Sequence, residues 1–177
     1  MAQPTGGGIV DSTNQFTLLT YGLPDLYRQN ARNVIAEKWG IRFYTAAGCT
    51  ISEALRDSVK NHNNLANQNI TAKYGENWSE KFKTEVDAEF DIQMEIIETL
   101  SRLDFIQKTN KELEQEGDAL LYQMKPVAHS DNYEVWIKGW GKTNKTGESV
   151  MMIYYKIKFD SKTKKYKVLS NKMIPAK

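Results

Sequence analysis

The chain has 177 residues, 40% hydrophobic and 26% charged, which suffices for one domain with a sizeable core and is ordinary for a globular protein. No apolar run of about 18 residues occurs, so a membrane-spanning helix is excluded, and a single cysteine, Cys49, excludes an internal disulfide. The net charge of +2 hides a division: through Asp118 there are 12 Lys and Arg against 18 Asp and Glu, a balance of −6, and from Ala119 onward 12 Lys against 4 acids, a balance of +8.

Residues 1–16 are rich in Gly, Ser, Thr, Asn and Gln and are expected to form a flexible tail. They lack the basic start and apolar centre of a signal peptide. A natural start at Met1 would fit the cytoplasm, and a removed signal or anchor would fit an envelope or periplasmic location. Residues 17–177 are expected to form a single α+β domain, with a helical part at 24–116 and a β-meander at 119–174. Thr17–Tyr21 is a short ordered lead-in.

Pro24 suits a first helical turn and Asp25 suits the positive end of the helix dipole. Tyr27, Ala31, Val34 and Ile35 share one helical face, and Gly40 stands where a left-handed cap is wanted. Ile41–Thr45 alternates and reads as a strand. Thr50-Ile-Ser-Glu53 has the capping-box pattern, with Thr50 as cap. The helix it opens runs to about Tyr74, before Gly75. Asn77-Trp-Ser-Glu80 opens another. From Glu85 to Ile96 acids and apolar residues alternate strictly, which is also a strand pattern. Asp and Glu are poor strand residues and no turn precedes them, which favours helix. On that reading the two helices form an antiparallel hairpin, and helix continues with a kink near Asp104 to Glu116.

Ala119–Val127, Tyr133–Trp140, Val150–Phe159 and Tyr166–Leu169 are rich in aromatic and β-branched residues with period-2 alternation, the signal of strands. The loops Gly141–Gly147 and Asp160–Lys165 are short and polar, which fits antiparallel hairpins. The expected fold class is therefore α+β: N-terminal helices packed on a C-terminal antiparallel sheet of about four to five strands, with Ile41–Thr45 as candidate fifth. That arrangement resembles the NTF2-like and cystatin-like architectures by analogy of layout.

Alternation sorts the meander onto two faces. Tyr133, Val135, Ile137, Met151, Ile153, Tyr155, Ile157 and Phe159 form an apolar one. Trp136, Lys138, Trp140, Met152, Tyr154, Lys156 and Lys158 form the other. Aromatic rings beside ammonium groups can stack bases, line a pocket for a small anionic ligand, or anchor a protein partner. They also pack against one another as ordinary cross-strand pairs. The lack of Arg in this part disfavours nucleic acid.

The other reactive side chains carry less. Cys49 precedes a helix start, where a thiolate is stabilised, but His62 is too far along that helix to act as its base. A small buried corner residue is the plainer reading. His62 has no second ligand at metal spacing, and His129 is a loop residue. The acidic series Glu85, Asp87, Glu89, Asp91, Glu95 and Glu98 lacks the glycine and spacing of a calcium loop, so a solvated face is expected. No phosphate loop, dinucleotide fingerprint or hydrolase elbow is present.

The expected function is a non-enzymatic binding module. Trp136, Lys138, Trp140, Tyr154, Lys156 and Lys158 form its binding set, for a protein partner or a small anionic or aromatic ligand. No metal or cofactor is expected, and the charge division would allow a homo-oligomer. The alternatives are a small NTF2-like pocket enzyme and a single-stranded nucleic-acid binder.

Overall fold

In a computed structural model, residues 15–23, 25–142 and 147–176 are described. Residues 1–14 of the expected tail 1–16, the helix-starting Pro24 and the centre of the loop after Trp140 lie outside them; Phe16, placed in that tail, instead begins a strand and is buried. The order is β1 (Phe16–Tyr21), α1 (Leu26–Trp39), β2 (Ile41–Ala47), α2 (Glu53–Tyr74), α3 (Trp78–Ser101), α4 (Asp104–Glu114), β3 (Leu121–Pro126), β4 (Asn132–Lys142), β5 (Ser149–Asp160), β6 (Tyr166–Ser170) and β7 (Ile174–Pro175). The fold is α+β, with the helices preceding an antiparallel sheet. The chain divides into two compact units, Met1–Glu89 and Phe90–Lys177, at a point inside α3.

The first unit is built on β1, α1 and β2. Asp25 caps α1 by accepting from the amides of Tyr27 and Arg28, and Gly40 ends it at φ 63°, in the left-handed region where glycine carries no Cβ penalty. A helix between two strands permits parallel pairing, and β1 pairs with β2 in parallel, Phe16 opposite Ile41 and Leu18 opposite Phe43. Ile41–Thr45 is therefore not a fifth strand of the C-terminal sheet. β7 takes that place, pairing with β5.

Two further expectations about helix ends change. Ser52, not Thr50, caps α2, accepting from the Leu55 amide at 3.2 Å. Helix does not bend through Asp104: it stops at Ser101, and α4 starts afresh after Leu103, whose ψ of 130° is extended. The contested stretch 85–96 is helical throughout. The core of the first unit gathers Phe16, Leu18, Ile35, Ile41, Ala66, Ile70, Phe82 and Val86, with Trp39, Phe43, Tyr74 and Trp78 packed against it. Trp39 stands edge-on to Phe82 at 5.8 Å.

The second unit is the remainder of α3, α4 and the sheet, whose strand order is β3-β4-β5-β6. Met124, Val135, Ile137, Ile157 and Phe159 on one face of that sheet are almost wholly buried. α4 is tied to this inner face by Tyr155. Its hydroxyl donates to the Phe105 carbonyl at 3.2 Å and lies 2.7 Å from Thr109 Oγ1, and its ring meets Phe105 at 5.1 Å.

Candidate functional site

The geometry of the sheet face is set by one irregularity. The antiparallel register pairs Ile137 with Tyr155, but Lys138 pairs with Ile153. Tyr154 is the extra residue of a β-bulge, and beyond it the alternation of β5 is inverted relative to the simple period. Met152, expected beside the lysines, is buried and pairs with Gly139; Met151 and Ile153 move to the outer face opposite Trp140 and Lys138. Tyr154 lies beside Gly139 and Gly141 and donates to the Trp140 carbonyl at 3.2 Å.

Gly139 and Gly141 are the sequence signal for this bulge, since glycine inside a strand marks a bulge or a close approach. A Cβ at Gly139 would stand 2.8 Å from Leu113 Cδ1, and one at Gly141 would stand 2.9 Å from both the Tyr154 hydroxyl and Met152 Cγ. The two glycines thus make room for α4 and for the displaced tyrosine. Tyr154 lines a groove of about 270 Å³ with Glu112, Leu113, Glu116 and Lys142. Its phenol is pushed up from the ordinary value, first by burial and then by the carboxylates of Asp118, Glu116 and Glu112.

Residues directly opposite on neighbouring strands share a face, so the outer face can be read from the register. One row carries Lys125, Glu134, Lys158 and Lys167; the next Gln123, Trp136, Lys156 and Ser170; the next Leu121, Lys138 and Ile153; and the last Trp140 and Met151. Lys138 Nζ donates to Gln123 Oε1. Trp140 is half exposed, and its amide donates to Asp118 Oδ2 at 2.5 Å. Five of the six residues singled out by the sequence therefore lie on one open face, and Tyr154 lies on the side of α4. Lys125, Lys167, Met151 and Ile153 belong to the outer face and were not in that set, because it rested on unbroken alternation and left out the neighbouring strands.

The remaining candidates lie apart from this face. His62 Nε2 lies 3.0 Å from the Thr17 carbonyl, and the neighbouring Asn63 bonds the backbone of Leu19. Cys49 is exposed, not buried at a corner: β2 ends two residues before it and α2 begins four after it, leaving it in a surface connection. His129 sits in a turn at φ 56°.

The acidic series is largely ion-paired. Asp87 pairs with Arg28, Glu85 with Lys38, Glu95 with Lys164 and Glu98 with Arg102. Glu85 also accepts from the Trp39 indole at 3.2 Å. Its carboxyl is held below the usual range chiefly by the hydrogen bond from Lys38, with the Trp39 bond and the Lys38 charge adding to it and burial opposing. Among the described residues no group of three or more His, Cys, Asp or Glu is placed to hold a metal ion.

No protein family, no curated protein and no solved structure matches this chain.

Proposed function

We propose that the chain is a non-enzymatic interaction module whose outer sheet face docks an acidic protein surface. The supporting observation is the register across β3, β4, β5 and β6, which sets Lys125, Lys138, Lys156, Lys158 and Lys167 around Trp136 and Trp140, with Glu134 as the acidic side chain of those rows. Four strands about 4.8 Å apart, and rows about 7 Å apart along them, make a patch roughly 14 Å or more on a side. That extent suits a macromolecular surface better than a small ligand. Lysine is a flexible point charge that pairs with carboxylates, whereas base and phosphate recognition favours the planar fork of arginine. Exposed tryptophan supplies the anchor typical of protein hot spots.

Fluorescence anisotropy with labelled poly-glutamate and with an oligodeoxythymidylate of equal charge tests the reading. Binding of poly-glutamate should be the stronger, should fall with added salt, should be lost in Lys156→Glu/Lys158→Glu and should weaken in Trp136→Ala. Preference for the oligonucleotide would move the assignment to nucleic acid. Equal binding by the wild-type and charge-reversed proteins would sink the sheet-face reading.

A further inference from the structure

A second feature lies in the first unit and is independent of the sheet face. Asp25, the cap of α1, and Arg28, Gln29 and Arg32 along one side of that helix line, with Val86 of α3, a cavity of about 170 Å³. Most of the charges there are engaged. Asp25 Oδ1 accepts from two amides of the first turn of α1, and Arg28 is paired with Asp87. Arg32 is different. Its guanidinium carbon lies 4.2 Å from the centroid of the Phe43 ring, and its Nε is buried and has no hydrogen-bond partner among the described residues. Burial pushes its pKa below the ordinary value.

A half-buried guanidinium with an unmet donor is costly unless something supplies the acceptor. Phe43 covers one face of the group and Nε has almost no accessible surface, so an acceptor reaches the fork of Nε–H and Nη–H in the guanidinium plane only with a small shift of the Arg32 side chain. That fork matches the two oxygens of a carboxylate or phosphate. The cavity has the volume of about five or six waters, enough for such a group with a short attached chain. We propose that this cavity is a binding site for a small oxyanion, a carboxylate or phosphate group, held in bidentate fashion by Arg32 with Arg28 and Gln29 beside it.

The test is an NMR titration of the intact protein that follows the arginine Nε–H resonances, with inorganic phosphate in one arm, succinate in a second and sodium chloride at matched ionic strength in a third. A saturable downfield shift of the Arg32 Nε–H with phosphate or succinate, absent with chloride, is the expected result. The arm that saturates at lower concentration identifies the oxyanion. Arg32→Gln should weaken binding about tenfold or more, as expected for loss of charge-assisted hydrogen bonds. Arg32→Lys, which keeps the charge without the fork, should fall between. An Arg32 resonance that ignores both oxyanions at millimolar concentrations, or moves equally with chloride, would overturn the site. So would undiminished affinity in a folded Arg32→Gln protein. The wild-type resonance decides between these outcomes even if that variant does not fold.

Discussion

Asn63 holds the backbone of Leu19 at both of its polar atoms: its Oδ1 accepts from the Leu19 amide at 2.8 Å and its Nδ2 donates to the Leu19 carbonyl at 2.9 Å. β1 has β2 on one side, and its other edge would present unpaired amides and carbonyls. The amide of Asn63, projecting from α2, stands in for a neighbouring strand, and the nearby His62 contact with Thr17 extends the same arrangement. His62 and Asn63, in a stretch of α2 that is weak as a helix by propensity, thus cover the edge of β1.

Asn63→Leu should lower stability by about 2 kcal/mol, because it leaves two partly buried backbone groups without partners. Asn63→Asp keeps the acceptor but sets an ionised oxygen against the Leu19 carbonyl, so it should also destabilise at neutral pH and should recover part of that loss as pH falls and the carboxyl gains a proton to donate. Urea unfolding monitored by circular dichroism measures both. A change under about 0.5 kcal/mol for Asn63→Leu, the range of neutral surface substitutions, would contradict the edge-cover role.

Gly139→Ala should destabilise the second unit by about 1–3 kcal/mol, since the new methyl meets Leu113 Cδ1. In a Leu113→Ala background most of that penalty should vanish. A double-mutant cycle reads the coupling directly, and additive losses would show that the strand and α4 do not meet at this point.

The raised pKa of Tyr154 has a consequence at alkaline pH. The folded state keeps its proton longer than the unfolded chain, so the contribution is fully present below about pH 10 and is lost as pH rises through the folded value. The stability difference between wild type and Tyr154→Phe should stay constant from pH 7 to about pH 10 and then shrink or reverse. Melting temperatures of the two proteins over pH 7–11 test this, and a difference that stays flat to the end contradicts it.

Glu85 behaves oppositely. Its carboxyl titrates below the ordinary value in the folded state, so its contribution is present above the unfolded pKa and lost as pH falls through the folded one. Glu85→Gln should be slightly less stable than wild type at pH 7, and the two should converge below about pH 4. The pair with Lys38 is solvent-accessible, so the effect should also diminish in high salt. Convergence absent from paired thermal melts would count against the Lys38 and Trp39 contacts.

Much of this architecture is local and was legible as such. Asp25 and Gly40 bound α1 because capping depends on residues within one turn. The four strands of the meander follow from period-2 patterning, and the helicity of residues 85–96 follows from the poor strand propensity of their acids. Five of the six proposed face residues share a side because short-range alternation holds along β4 and along β5 up to the bulge. Other features are not local. The pairing of β2 with β1 instead of the C-terminal sheet was decided by which apolar faces meet around the first unit's core. The bulge at Tyr154 inverted the expected sides of Met151, Met152 and Ile153, and it depends on Leu113 and Tyr154 occupying the space that Gly139 and Gly141 leave open. The partners of Asn63 and Arg32 likewise stand 44 and 11 positions away in the chain, at Leu19 and Phe43. Capping and alternation act between neighbours and can be read along a chain. Register, edge cover and the burial of a charge depend on which distant segments meet, and packing alone determines that.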